Sequence, residues 1–493
     1  MRDLIDASPA IQYRVELFAT SLEDNLRKTS VTVADRRALL EQYHSRWDKL
    51  QGDRWRNISL PAHTKRVLEG GVLGCIMESK DDKLDVHFIQ LPSVSREVKL
   101  KQWVVRGLPK CDTTLKMNPE VDLLVVPEVV NEGRYVIRSF RYLLGDDSRP
   151  STFRIHILRL SDGLPYAFAP VDPVVHYVDY QSKEIISGLN VLVSGHRLVA
   201  IAAFEGTPYF ERENTLIVWD WRSGERVLVS SYPCPPQNKA NVTIAKKTSH
   251  SWVDQVQFVD DYRIVGIKRR YERSPESDRS VVMWDTTTIK ERQVRFGMPT
   301  GTPRSLVDYN WVPAGAGLHR SDPARRAIGI QCRRIRVKAG KEDTYLIVVN
   351  AADMCAHASR KRGLATQVSW KTWERSTTVI QTASSVIGAL SISGCRLFAM
   401  TKGLSGLNFI ELLRIYDFSA GTRGGRYPNR PPVRDVLLNL GRGTVDEGKK
   451  IWCFSEDNLL LFHVSPQPSS AFQGCDADLL TCHLIDPVPK CTS

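Results

Sequence analysis

The sequence predicts an all-β fold, a β-propeller of seven units within a range of six to eight, behind a short N-terminal α-helical segment. Two observations carry this. A run of β-branched, aliphatic and aromatic residues recurs at spacings of 61 to 69 residues, centred on Ile89, Leu158, Trp219, Trp284, Val349, Tyr416 and Ile485. Such residues suit a pleated, half-buried surface. A second strand signal keeps phase with the first, at 121–125, 195–201, 261–267, 326–330, 394–400 and 457–462. Each unit then reads as a small antiparallel sheet that cannot cover both its faces alone. A radial arrangement lets neighbouring sheets cover each other. A compact propeller repeat takes ~40–45 residues, so the surplus falls in loops.

The first fifty residues read as helical. Ser8 and Pro9 form a helix start, with a capping hydroxyl and then a residue whose missing N–H is not needed there. Ile11, Val15, Phe18 and Leu22 follow at helical spacing and predict one apolar face turned onto the following domain. Thr32 with Asp35 three residues on resembles a capping box, and Leu40, Tyr43, Trp47 and Leu50 repeat at three- and four-residue steps. From about Arg54 short β-type runs replace this period. The division is therefore a helical segment at 1–52 and a propeller at 53–493. Its clearest unit runs from Glu213 to Val229, where two apolar runs flank a polar turn containing Gly224. Stretches rich in Pro, Gly, Ser and charge, including 233–251, 299–323, 356–377 and 420–432, read as loops.

A formal net charge of +13 over 493 residues is modest: it permits binding to nucleic acid or acidic surfaces without requiring it. Ten cysteines lie scattered with no C-x-x-C pair, and the N-terminus has no apolar core of signal-peptide length. The expectation is free buried thiols in a cytoplasmic or nuclear protein. The spacing of Cys475, Cys482 and His483 matches no standard zinc pattern. No apolar stretch is long enough for a transmembrane helix, so no membrane partner is expected.

Motifs that carry chemistry are missing: the chain has no phosphate loop, no H-E-x-x-H and no G-x-S-x-G elbow. His87 and His156 alternate with apolar neighbours and read as structural. The acidic pairs Asp81-Asp82, Asp146-Asp147 and Asp260-Asp261 read as turn residues. No catalytic, cofactor or metal site is expected. The strongest surface signal is basic: Lys268, Arg269 and Arg270; Arg325 and Arg326; Arg333, Arg334, Arg336 and Lys338; Arg360, Lys361 and Arg362, with Trp370 and Trp373 just after. Arg forks match phosphate geometry, so these groups would suit a phosphorylated or acidic protein partner. They would also suit nucleic acid. The plain alternative is solvated charge that guards strand edges. The runs at 268–270 and 333–338 occupy equivalent places in adjacent units, which predicts one shared face.

The dipeptides Trp219-Asp220 and Trp284-Asp285, with Gly195-His196 upstream, resemble the signature of WD-repeat propellers. The N-terminal run from Asp3 to Phe18, with its Asp-Leu-Ile, Ser-Pro, Gln-Tyr and Glu-Leu steps, resembles the segment that follows the F-box in basidiomycete fungal F-box proteins. In that group a helix like 34–40 and a tryptophan like Trp47 lead into a long degenerate propeller. The resemblance spans most of the chain. It implies a non-enzymatic substrate-recognition subunit of an SCF-type ubiquitin ligase, bound to a Skp-type adaptor through an F-box. That F-box would stand before Asp3, where this chain has only Met1 and Arg2. The alternative expectation is a free-standing propeller that binds RNA or a phosphorylated or acidic partner.

Overall fold

The computed structural model describes residues 5, 7–20, 22–24, 32–48, 55–60, 65–78, 83–92, 98–111, 115–130, 152–169, 174–177, 185–205, 212–231, 251–270, 280–287, 292–298, 305–311, 320–321, 327–336, 341–360, 365–383, 387–393, 396–405, 408–418, 433–437, 449–454, 459–464 and 480–485, part of them by backbone alone. Helices α1 (Pro9–Thr20) and α2 (Val33–Asp48) come first, with the short strand β1 (Leu22–Glu23) between them and β2 (Trp55–Leu60) after them. Seven sheets follow. The first is β3 (Lys65–Glu69), β4 (Val72–Glu78), β5 (Leu84–Gln90) and β6 (Lys101–Leu108). The second is β7 (Lys116–Asn118), β8 (Leu123–Val130), β9 (Thr152–Arg159) and β10 (Val174–Tyr177). The third is β11 (Ile185–Ser194), β12 (Arg197–Glu205), β13 (Arg212–Asp220) and β14 (Glu225–Ser231). The fourth is β15 (Ser251–Phe258), β16 (Arg263–Arg270), β17 (Ser280–Asp285) and β18 (Arg292–Gly297).

The fifth sheet carries additions. After β19 (Ser305–Trp311), the two-residue strand β20 (Arg320–Ser321) pairs with β1. Then come β21 (Ala327–Arg336) and β22 (Lys341–Asn350). Helix α3 (Ala351–Arg360), strand β23 (Ala365–Val368) and helix α4 (Trp370–Trp373) intervene before the outer strand β24 (Thr377–Ala383). The sequence predicts a loop over 356–377; the chain instead builds a helix, a strand and a second helix there. Strand β23 pairs in parallel with β18 and extends the fourth sheet to five strands. The sixth sheet is β25 (Ile387–Ser393), β26 (Arg396–Ser405), β27 (Asn408–Asp417) and β28 (Val433–Leu437).

The seventh sheet takes its strands from both ends of the chain. Strands β29 (Lys449–Phe454), β30 (Leu459–Val464) and β31 (Leu480–Ile485) are completed on the outside by β2, antiparallel from Trp55↔Ile485 to Leu60↔Leu480. The fold is thus a seven-sheet β-propeller whose last sheet is stitched by a strand that precedes the first. Contacts run from sheet to sheet through β3 with β7, β7 with β11, β13 with β15, β15 with β19, β21 with β25 and β25 with β29. Buried clusters fill the clefts between them. Val86 and Phe88 meet Leu124 and Val126 between the first two sheets. Phe153 and Ile155 meet Ala200 and Trp219 in the next cleft, and Val199 and Leu216 meet Phe258 and Trp284 in the third.

The sequence periodicity has a direct structural counterpart. All seven centred residues lie on third strands, opposite an aliphatic residue at the start of the second strand. The pairs are Leu73↔Ile89, Leu124↔Leu158, Leu198↔Trp219, Ile264↔Trp284, Ile328↔Val349, Leu397↔Tyr416 and Leu459↔Ile485. The Asp of Trp-Asp closes the same corner. Asp220 accepts from the backbone N–H groups of Arg222 and Ser223 and holds Arg197 at 2.9 Å. Arg396 and Asp417 repeat the ion pair in the sixth sheet at 3.5 Å.

The helical segment departs from expectation. The Ser8 hydroxyl caps α1, and Asp35 N–H donates to the Thr32 hydroxyl at the start of α2. Yet Ile11, Val15 and Phe18 are 42, 50 and 58% exposed. The face α1 buries is formed by Tyr13 and Leu17, together with a polar seam in which Arg37 bonds Glu16 and Gln12. Arg36 reaches Asp24 at 2.7 Å. Spacing at three and four residues reveals a stripe; it does not say which side of a helix a neighbour will cover. Leu40 is buried on α2, whereas the side chains of Tyr43, Trp47 and Leu50 lie outside the described residues.

A chain lacking residues 1–60 should lose the outer strand of its seventh sheet and melt earlier in scanning fluorimetry. A synthetic peptide covering β2 should restore the melting temperature; no recovery would show that the stitch is dispensable. Trp221 and Trp284 are both buried, but only Trp221 has an acceptor, the Gly195 carbonyl at 3.1 Å, whereas Trp284 Nε1 has none among the described residues. By denaturant titration, Trp221→Phe should cost about 1 kcal/mol more than Trp284→Phe.

Candidate functional site

Antiparallel order sorts every connection onto one of two edges. First-to-second and third-to-fourth turns open on one edge, here called the front. Second-to-third turns and the links between sheets open on the rear. On the front, the turns of neighbouring sheets interlock. Trp103 Nε1 of the first sheet donates to the Leu160 carbonyl of the second at 2.9 Å. Gly163, at φ +75°, passes Val105 so closely that a Cβ would lie 2.2 Å from its Cγ1, so only glycine fits there. Tyr166 of the second sheet meets Trp221 of the third edge-to-face, ring centroids 5.4 Å apart. Arg197 of the third sheet lies over the Tyr262 ring of the fourth, and Ser194 Oγ donates to Asp261 at 3.2 Å.

Within this belt the turn 160–169 forms a platform. Asp122, in the left-handed region at φ 55°, accepts from Ser161 N–H at 2.8 Å and from the Ser161 hydroxyl at 2.7 Å. Leu164 carbonyl accepts from Arg159 N–H at 2.8 Å, and Tyr166 N–H donates to Ile157 at 3.0 Å. The Tyr166 hydroxyl donates to the Val121 carbonyl at 2.7 Å. On this fixed mount Leu164 is 54% and Phe168 74% exposed. Phe168 packs against Tyr166 with centroids 5.9 Å apart, and the exposed Arg222 lies over the Trp221 ring beside it. An apolar pair this open, with a guanidinium nearby, is a surface that water leaves readily when a complementary side chain arrives.

The residues singled out from sequence divide differently. Lys268, Arg269 and Arg270 end β16, and Arg333, Arg334 and Arg336 end β21; both are second strands, so both runs reach the rear edge of adjacent sheets. Register sets Lys268 opposite Ser280 and Arg336 opposite Lys341, next to the second-to-third turns. Arg360 is described by backbone only, and Arg325, Arg326, Lys338, Lys361 and Arg362 lie outside the described residues, as do Asp81, Asp82, Asp146, Asp147 and Cys475. Trp370 and Trp373 belong to the insertion, which leaves β22 from the front. Trp373 is fully buried: its Nε1 donates to the Gly297 carbonyl at 2.8 Å and its ring meets Phe296 edge-to-face. The expectation of partner contact at Trp373 is therefore corrected, because that indole latches the insertion onto the fourth sheet. Trp370 is half-buried against it, centroids 5.0 Å apart.

No motif, charge run or repeat in the sequence singles out Leu160 to Ala169; the available signal is Leu164, Tyr166 and Phe168 crowded beside Gly163 and Pro165.

Two other polar groupings occur. Between the fourth sheet and α3 a small open pocket is lined by Arg263, Met283, Asp285, Val294, Ala358 and Ser359. Arg263 holds Asp260 at 3.0 Å there. Burial pushes the nearby Cys355 thiol up and Arg263 pulls it down, the net effect being upward, opposite to an activated nucleophile. The Cys75 thiol is pushed up to about 12 by burial. Between the first two sheets, His156 Nε2 lies 3.1 Å from Glu128, with Arg154 at 3.8 Å. Among the described residues no group of three or more His, Cys, Asp or Glu is arranged to hold a metal. No described helix is long and apolar enough to cross a membrane.

No family model matches this chain, and no curated protein matches it. Solved structures do. The polysaccharide lyase Uly1 aligns over 87% of this chain and 90% of its own at 9% identity, with a TM-score of 0.43. The WD40 domain of SCAP from fission yeast aligns over 89 and 96% at 10% identity and a TM-score of 0.38. The β-propeller domain of the Trilobed protease from Pyrococcus furiosus aligns over 88 and 97% at 10% identity and a TM-score of 0.39. No residue role passes from these chains to this one.

The Glu128 pair generates a pH prediction. The hydrogen bond from His156 holds the Glu128 carboxyl below its ordinary range, against burial that raises it, with further lowering from the charges of His156 and Arg154. A depressed carboxylate contributes stability that is present above the unfolded value of about 4.3 and lost as pH falls through the folded one. Melting temperature should therefore fall on acidification below about pH 4.5, and Glu128→Gln should flatten that part of the curve. An unchanged slope in the variant would assign the acid sensitivity elsewhere.

Proposed function

We propose that this protein is a non-enzymatic interaction module that captures a protein partner on the front of its propeller, with Leu164 and Phe168 as apolar anchors and Arg222 beside them. The observation that carries this reading is the exposure of Phe168 and Leu164, 74 and 54%, on a turn already fixed by its own hydrogen bonds. Anchors held in place before binding lose little ordering entropy on contact, and buried aromatic anchors dominate the energy of most interfaces. The resemblance of the N-terminal run to the segment behind the F-box in fungal F-box proteins supports a narrower role. In that role the propeller presents a substrate to an SCF-type ubiquitin ligase, and an F-box upstream engages a Skp-type adaptor.

The test is affinity capture from extract with the intact chain and with Leu164→Asp/Phe168→Asp. A partner recovered by the intact chain should fall at least about tenfold with the double variant at unchanged melting temperature. Equal recovery refutes the platform. Co-purification of a Skp-type adaptor with a chain extended by its upstream coding sequence tests the ligase role, and no adaptor there removes it.

The second reading, a propeller that binds RNA or a phosphorylated partner, is favoured by the two basic runs on the rear edge of adjacent sheets. It expects a salt-dependent RNA shift that disappears in Arg333→Gln/Arg334→Gln/Arg336→Gln. A shift retained by that variant rules out these runs as the binding surface.

A further inference from the structure

We infer that the outer edge of the first sheet, strand β6, accepts an acidic extended segment of a partner protein as a fifth strand. β6 is outermost in the order β3-β4-β5-β6, and its backbone edge is followed by no further strand among the described residues. At eight residues it is the longest outermost strand among the described residues; those of the other sheets have four to seven.

The same architecture already seats a fifth strand elsewhere in this chain. The outer strand of the fourth sheet, β18, is covered by β23 in parallel register from Gln293↔Ala365 to Phe296↔Val368. That cover comes from the chain's own insertion. Among the described residues no strand covers β6 in the same way.

Charge identifies the visitor. Lys99, Lys101, Arg106 and Lys110 are all exposed, and the run from 99 to 110 holds no acid. Lys83 is exposed across the hairpin. The nearest carboxylate on the partner strand, Asp85, accepts from Gly107 N–H at 3.0 Å and serves the bulge. Between the cations, Leu100 and Val104 are 40 and 42% exposed. Alternating apolar and acidic side chains would match this edge on both counts, the backbone supplying affinity and the charges selecting the strand. Lys101 stands over the Trp103 ring at 5.4 Å, and Trp103 is itself fixed by its bond to Leu160, so the edge is held rigid before binding.

Lysine on an edge strand also discourages pairing between copies. The two effects are compatible, since a cationic edge repels another cationic edge and attracts an anionic one. They separate by experiment. This inference does not rest on the platform of Leu164 and Phe168, and its test does not pass through those residues.

The probe is a blocked peptide of about ten residues alternating glutamate and valine, the upper end of ordinary strand length, with a lysine–valine peptide as its counterpart. Binding is read by fluorescence anisotropy and by hydrogen exchange of the amides from 101 to 106. The glutamate peptide should bind, slow exchange along β6 and weaken with added salt. Lys101→Glu/Arg106→Glu, two exposed substitutions, should reduce affinity at least about tenfold. Equal binding of the lysine peptide, equal binding by the charge-reversed variant, protection confined to other strands, or no binding up to about 1 mM would each overturn the proposal.

Discussion

The fold depends on the antiparallel pairing of β2 with β31. Each of the other six sheets is built from one continuous stretch of chain, with β23 added to the fourth. The seventh is assembled from residues 55–60 and 449–485, so it forms only when the chain has come full circle. Closing so long a loop costs entropy, but the cost grows only slowly with loop length. Once closed, the outer strand of the last sheet runs within a few residues into β3, the inner strand of the first. That continuity holds the start and end of the series together by covalent chain as well as by hydrogen bonds, and each cleft core, such as Phe153 against Trp219, relies on its two walls staying in place.

Within each sheet the controlling contact is the pair between an aliphatic residue early in the second strand and the residue late in the third. It recurs in register seven times although its identity ranges from Leu–Trp to Leu–Ile. What persists is a large side chain at one corner beside the front turn, buried in the first six sheets. Where that turn needs an acceptor for its backbone N–H groups, an Asp follows, as Asp220 does for Arg222 and Ser223 and Asp285 for Thr287. The Trp-Asp signature is therefore a local solution to closing a corner, and the first sheet closes the same corner with Gln90 bonded to the Gly71 carbonyl. That is why the spacing persists where the dipeptide does not.

This also explains what could be read from the sequence. Second and third strands are central, covered on both faces, and therefore appear as continuous apolar runs. Both series, from Ile89 to Ile485 and from 121–125 to 457–462, fall on those strands. Inner and outer strands such as β7 (Lys116–Asn118) and β10 (Val174–Tyr177) are short, and so few residues carry no such signature. The insertion around α4 was illegible for another reason. Trp370 and Trp373 gain their burial from Phe296 and Gly297, residues more than seventy positions earlier, a contact that no local pattern encodes. The N-terminal stripe of Ile11, Val15 and Phe18 was legible as a stripe, and its exposure follows from the polar seam that Arg36 and Arg37 build on the opposite side.

The two edges of the propeller carry different chemistry for a topological reason. Front turns are reached after inner and third strands, and in the first four sheets they lock together through Trp103, Tyr166, Arg197 and Asp261. A locked turn can afford to leave a Phe or Leu in solvent, because its neighbours rather than that side chain fix its shape. The rear turns, by contrast, join second strands that end in cations in the fourth and fifth sheets, where charge attracts without shape. A partner that must be recognised by form belongs on the front; one held by charge alone would suit the rear. The outer edge of β6 combines the two, with a backbone ladder for form and Lys101 and Arg106 for charge, in a strand anchored by Trp103 to the same turn that bears Leu164 and Phe168.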